Sequence, residues 1–227
     1  LGDQSSLDFI RACKESDVAI SVNYSGVIPQ KVINLFPLGL LNAHGGDLPR
    51  YRGNACQAWA IINGEDKIGL CIHKMIGGEL DSGDIISREY MSISLNTKVR
   101  ECYDWMNSRI PHLFLDAVGK LYEDKTYKLE EQSKNTHHAL RCYPRMPEDG
   151  RIDWTCSAID ILRLVNASGA PFSGASTSYD EHHLIVIDAE LSVDNERYLA
   201  IPGQVSQIHK DTGSAVVITG EGKLTLK

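Results

Sequence analysis

The sequence predicts an α/β chain in two parts, an α/β domain followed by a small, mainly β, barrel-like domain. Three observations predict it. Short Val- and Ile-rich runs flank a helix at the spacing of a βαβ crossover, a later stretch carries long helical apolar periodicity, and several short β-type runs follow a polar interval. At 227 residues the chain is long enough for a medium domain and a small one, each with its own core. It contains no fixed-period repeat.

In order, residues 5–14 carry a short helix-like pattern. Residues 17–24 (DVAISVNY) are too short for a helix and end in Ser-Gly, so they read as a buried strand. Pro29 can open a helix that runs to about Phe36, because proline is tolerated at the first helical position. Residues 39–42 (GLLN) are a second strand, and strand, helix, strand at this spacing predicts a right-handed crossover in a parallel sheet. Ligands in such sheets sit at the carboxyl ends of strands, which directs attention to the residues after Leu41. Residues 53–63 read as a helix closed by Gly64, and residues 68–75 and 84–93 as strands flanking a Gly-rich loop. From Val99 to Tyr122 the apolar residues recur at helical spacing, giving one long amphipathic helix in which Pro111 is the one point where a break could fall. Residues 123–150 lose periodicity. The domains are therefore expected at 1–135 and 151–227, with a linker at 136–150. In the second, residues 157–165 read as a helix and residues 184–193, 203–208 and 215–219 as strands.

Composition excludes several classes. Hydrophobic residues make up 42% and charged residues 23% of the chain, near globular usage. No apolar run approaches the roughly 20 residues of a membrane span, and the first residues form no signal-peptide core, so a cytoplasmic protein without a membrane partner is expected. Leu1 is not an initiator methionine, which leads us to expect upstream sequence. A net charge of -7 disfavours the counterion-release binding on which nucleic-acid proteins depend. The six cysteines are scattered, with no C-x-x-C pair, and read as reduced structural residues.

Two segments carry chemistry. Residues 41–53 read LNAHGGDLPRYRG. Asn42 and His44 flank one residue at a strand end, so the two-residue period of a strand puts both side chains on one side. Gly45 and Gly46 let the backbone turn sharply, and Arg50 and Arg52 add positive charge in an acidic protein. Residues 72–86 read IHKMIGGELDSGDII. Gly77 and Gly78 make a tight loop that holds Asp81 at a strand mouth, and a carboxylate there favours the charged form of a neighbouring imidazole. Singly, such residues are more often structural: a strand-end histidine, a turn aspartate, a solvated arginine pair. Trp105, Met106 and Phe114 read as core. His137–His138 and His182–His183 lack companions at metal-ligand spacing.

Together, N-x-H, L-P-x-Y-R-G and a downstream H-x(7)-D-S-G resemble the folate-dependent formyltransferase family, which includes glycinamide ribonucleotide, methionyl-tRNA and sugar-nucleotide formyltransferases. The strings RIDW at 151–154 and PFSGAS at 171–176 resemble the opening of the C-terminal domain in the tRNA and sugar branches. The resemblance implies a Rossmann-like formyltransferase domain, whose first strand and Gly loop have no counterpart here, so its N-terminal part is expected to be missing. It implies Asn42, His44 and Asp81 as the catalytic triad. It also implies 10-formyltetrahydrofolate as cosubstrate, without a metal, at the loop of Ser25, Gly26, Val27 and Ile28, at His73 and at Gly77 and Gly78. Where the family has Ser and Leu, this chain has Gly46 and Asp47, so the acceptor rim is expected to differ.

By resemblance and chemistry, the Asn42 amide and a protonated His44 would stabilise the oxyanion of the tetrahedral intermediate, while Asp81 holds His44 and a proton-relaying water. Residues 140–227 hold eight Lys and Arg against twelve Asp and Glu, which argues against tRNA as acceptor. The continuation into a second domain argues against the purine precursor. The expectation is a nucleotide-linked amino sugar, of the kind used in lipopolysaccharide O-antigen biosynthesis, held by Arg50, Tyr51, Arg52 and Trp59; a homodimer is compatible with it. The alternatives are a methionyl-tRNA formyltransferase, a formyltetrahydrofolate hydrolase and, from another class, a folate- or nucleotide-binding module without turnover.

Overall fold

Alternation along two neighbouring strands decides how the first part of the chain folds. In a computed structural model describing residues 8, 11–24, 26–124, 126–133, 136–194 and 196–227, the chain forms two compact units. The first comprises Leu1–Cys56, Ile68–Met91 and Trp105–Tyr143, the second Gln57–Lys67, Ser92–Asp104 and Pro144–Lys227. Of the helix-like pattern at 5–14, residues 8 and 11–14 are helical and the rest of the pattern lies outside the described residues.

The first unit is built on a four-stranded sheet in the order β1 (Ala19–Ser21), β2 (Leu40–His44), β4 (Lys67–Lys74), β5 (Ile85–Ser92). β1 and β2 are parallel, with Ile20 opposite Leu41, and α1 (Gln30–Ile33) lies in the crossover between them. β1 is shorter than the apolar run suggests, because Asn23 takes a left-handed φ of 53° and ends the extended chain. α1 is also short. Pro29 is its N-cap, and past Ile33 the bonds become i→i+3, from Leu35 N–H to Val32 and from Phe36 N–H to Ile33.

β4 runs antiparallel to β2. Leu41, Leu70, Ile72 and Ile86 form one apolar core with Met106, Leu113, Phe114, Ala117 and Leu121 of α3 (Val99–Glu123). α3 is the one long helix expected, 25 residues that Pro111 does not break. Pro111 and Asn107 are exposed, so the carbonyl that Pro111 leaves without a donor can be met by water. The helix expected from residue 53 begins later, as α2 (Cys56–Ile62), because Tyr51–Gly53 is β3 and pairs in parallel with β6 (Leu140–Cys142). A strand therefore lies within residues 136–150, where the sequence suggests only a linker.

The second unit contains α4 (Ala158–Ser168), capped by Ser157, whose Oγ accepts from the Asp160 N–H at 3.1 Å. It is otherwise β-rich. β7 (Ala175–Tyr179) and β8 (His182–Val186) form a hairpin turning at Asp180, while β10 (Val205–His209), β11 (Ser214–Ile218), β12 (Lys223–Leu226) and β9 (Ala189–Ser192) form an antiparallel sheet in that order. Ile161, Leu162, Val165, Ala175, Val186 and Leu224 share its core. Among the described residues, no helix is long and apolar enough to cross a membrane.

Ile72 is fully buried between the sheet and α3. Ile72→Ala is expected to destabilise the first unit by about 2–5 kcal/mol, read as a lower urea midpoint. An unchanged midpoint would remove Ile72 from the core.

Candidate active site

The register of β2 against β4 sets His73 opposite Asn42 and Cys71 opposite His44, and opposite residues in a sheet project to one face. With Leu41 and Ile72 turned toward α3, these side chains occupy the other face. Asn42 Nδ2 lies 3.3 Å from His73 Nε2. His73 Nδ1 donates to the Lys74 carbonyl at 2.9 Å, which directs Nε2 at Asn42 and at Asp81 Oδ1, 3.6 Å away. His44 Nε2 donates to the Tyr51 carbonyl at 2.7 Å, so that Nδ1 faces Asp81 Oδ2 at 3.5 Å. This bond requires Gly46, because a Cβ there would meet the Tyr51 oxygen at 2.4 Å and His44 Nε2 at 2.5 Å.

Asp81 comes from the β4–β5 loop in a left-handed conformation, φ 47°, which aspartate tolerates better than most residues. The Gly53 N–H donates to its Oδ2 at 2.9 Å. Gln132 fixes the loop from behind, donating from Nε2 to the carbonyls of Asp81 at 2.9 Å and Gly83 at 2.6 Å and accepting at Oε1 from Arg52 Nη2 at 2.7 Å.

Burial by itself would raise the Asp81 carboxyl. The hydrogen bond from His73, the charges of His44 and His73 and the Gly53 N–H together outweigh it and hold the group down to about 2. His44 moves below its ordinary value of 6.5, because burial outweighs the attraction of Asp81 and the charge of His73 adds to the shift. Where the resemblance implies a protonated His44, burial favours the neutral imidazole beside the Asp81 carboxylate. Such a pair is arranged to receive a proton.

Asn42, His73 and Asp81 line a cleft of about 110 Å³ with Gly26, Val27, Ile28 and Gly78, walled further by Met75, Ile76 and Leu80. His44, 6% exposed, is not among the lining residues. Ser25 lies outside the described residues. Gly77 packs on α1 instead, its N–H donating to Gln30 Oε1 at 2.7 Å. None of the four residues expected to hold the acceptor lines the cleft. Arg50 is exposed with its guanidinium 5.2 Å from the Tyr51 ring centroid, Tyr51 is buried, Arg52 engages Gln132, and Trp59 carries the Arg145 guanidinium at 5.8 Å. Asp47, expected at the acceptor rim, accepts from Tyr90 Oη at 3.0 Å and from Arg88, which also donates to the Leu48 carbonyl at 2.7 Å. Gln132 escaped the sequence reading because a glutamine in a polar, aperiodic segment carries no local signal. Among the described residues, no group of three or more His, Cys, Asp and Glu could hold a metal ion.

The Rossmann-like sheet and the β-rich unit correspond to the two domains of formyl transferases. Residues 3–118 match the formyl transferase family and residues 145–227 its C-terminal domain, and the chain belongs to that family. It is 32% identical over 217 residues to a methionyl-tRNA formyltransferase of Alkaliphilus oremlandii (strain OhILAs), covering 93% of this chain and 65% of the relative. Across such curated relatives the chain spans 65% to 69% of their length, about two thirds. HypX from Aquifex aeolicus, solved in complex with tetrahydrofolic acid, has the same fold at a TM-score of 0.69 and 22% identity, over 96% of this chain and 36% of that one. So does the N-formyltransferase from Helicobacter canadensis in complex with folinic acid and dTDP-3-aminofucose, at a TM-score of 0.69 and 18% identity, over 91% of this chain and 71% of that one.

A carboxyl held at about 2 against an ordinary 3.8 contributes stability that is present above its unfolded value and lost as pH falls through its folded one. Its magnitude is about 2 kcal/mol. Asp81→Asn is therefore expected to flatten the stability profile between about pH 4 and pH 2, measured by urea midpoints across that window. An unaltered slope would place the compensated charge elsewhere.

Proposed function

We propose that the chain transfers the formyl group of 10-formyltetrahydrofolate to the amine of a nucleotide-linked amino sugar, with Asn42, His44 and Asp81 as catalytic residues. The observation that carries this reading is the ionised Asp81 carboxylate, at the wall of a cleft beside the Asn42 amide, backed by a neutral imidazole whose Nδ1 faces it. The donor supports itself on Gly26, Val27, Ile28, His73 and Gly78, and the complexes of HypX with tetrahydrofolic acid and of the Helicobacter canadensis enzyme with folinic acid support a reduced folate as its class.

In the proposed reaction the acceptor nitrogen attacks the formyl carbon and the carbonyl electrons move to oxygen. An N–H of Asn42 donates to the oxyanion, worth about 3 kcal/mol for an aligned donor. The proton leaving the attacking amine passes to the Asp81–His44 pair and from there to N10 of the folate, whose bond to carbon then breaks. Formylated amine and tetrahydrofolate leave, and the pair returns to its resting protonation.

For the acceptor, the acidic balance of residues 140–227 and the dTDP-3-aminofucose complex of the Helicobacter canadensis enzyme favour an amino sugar, with the exposed Arg50 as its phosphate contact. The names of the curated relatives favour a second reading, methionyl-tRNA as acceptor. Incubation with the formyl donor and, separately, a panel of amino-sugar nucleotides or charged initiator tRNA decides between them by mass: one added formyl group on a sugar nucleotide supports the first reading. Donor cleavage without any amine would indicate a hydrolase, and binding without cleavage a non-catalytic module.

His44→Ala is expected to lower kcat by about 100-fold or more with the fold retained. In the parent, kcat/KM should fall on acidification as His44 takes a proton, with an apparent value below 6.5. Asp81→Asn removes the attraction that raises His44, so the acid limb should move to still lower pH while kcat drops steeply. A variant with the parental kcat and profile would return Asp81 to a turn residue.

A further inference from the structure

Two cysteines meet behind the site where the proposed transfer chemistry has no use for them. β3 and β6 pair with Gly53 opposite Cys142, so closely that a Cβ on Gly53 would meet the Cys142 carbonyl oxygen at 2.4 Å. The Asn54 N–H donates to that same oxygen at 3.0 Å, Ala55 takes a left-handed φ of 53°, and the chain turns back. Cys56, the first residue of α2, thereby brings its thiol beside Cys142, where it donates to the Gly53 carbonyl at 3.6 Å and its Sγ lies 3.8 Å from His44 Nε2. Both cysteines are free.

The pair is chemically asymmetric. The neighbouring Cys56 thiol, with the Arg141 charge, holds the Cys142 thiol below its ordinary value against burial. The proximity of Cys142, together with burial, raises Cys56. A thiol shifted down beside one shifted up is the arrangement of an attacking and a resolving cysteine.

We propose that Cys56 and Cys142 form a hydroperoxide-sensitive dithiol whose disulfide inhibits the neighbouring site. The Cys142 thiolate attacks one peroxide oxygen, the O–O bond breaks, and the departing hydroxide takes a proton to leave as water, giving a sulfenic acid. The Cys56 sulfur then attacks the Cys142 sulfur, and the sulfenic hydroxyl leaves with the Cys56 proton as a second water. In sum, two thiols and one hydrogen peroxide give one disulfide and two waters. The bond draws Cys56 away from His44 and ties it to the strand facing Gly53, whose N–H holds Asp81. Both sides of the proton-accepting pair are thereby disturbed.

The test treats the full chain with hydrogen peroxide and follows intact mass, a non-reducing peptide map and formyl transfer. The expected result is a loss of about 2 Da, a linked Cys56–Cys142 peptide and about ten-fold lower activity, all reversed by dithiothreitol. Cys142→Ser should keep its basal activity and resist inhibition. Oxygen addition confined to the exposed Cys156, a linkage between other cysteines, or a Cys56–Cys142 disulfide with full activity would each overturn the proposal. The activity arm rests on the formyl-transfer reading, whereas the peptide map does not, so a chain without transferase activity is still judged by its linkage.

Discussion

A carboxylate removed from bulk water has to be compensated on nearly every side, and the geometry of the first unit answers that demand at Asp81. One imidazole approaches each of its oxygens, and a backbone N–H donates to one of them. These partners come from three separate strands: β2 supplies His44, β4 supplies His73, and β3 supplies the Gly53 N–H. The buried carboxylate is therefore compensated only when all three strands are in place, which ties its burial to correct folding.

Glycine and glutamine do much of the positioning. Gly46 is needed because the bond from His44 to the Tyr51 carbonyl occupies the space a side chain would fill, and that bond decides which ring nitrogen faces Asp81. Gln132 uses both ends of its amide, one on the loop carbonyls and one on Arg52. The arrangement gives Arg52 an internal role and leaves Arg50 as the exposed cation of the L-P-R-Y-R-G segment.

Much of the sheet and α3 is legible in the sequence because their periods are long enough to show. Leu41, Ile72 and Leu113 recur at strand or helix spacing, and the two-residue period alone places Asn42 and His44 on one face. Three-residue strands such as β3 and β6 carry no period, and β7, whose sequence is ASTSY, lacks the apolar content that marks a strand. The charge state of His44 is illegible for a different reason. The Asp81 partner can be guessed from a motif, but the balance between its attraction and desolvation depends on burial, which only packing sets. Gln132 is illegible because its partners lie 49 and more residues away in the chain.

The antiparallel pairing of β2 and β4 joins folding fidelity to chemistry. Sliding one strand by a single residue would turn Asn42, His44 or His73 into the apolar layer beneath α3 and present Leu41 or Ile72 to the cleft. Asn42 and His44 from β2, or His73 from β4, buried without partners would make the slipped sheet markedly less stable than the native one. The residues assigned to the reaction thus also proofread the register. A substitution there that is neutral to native stability can still raise the population of misaligned chains, and its cost would first appear as lower yield and not as a lower melting temperature.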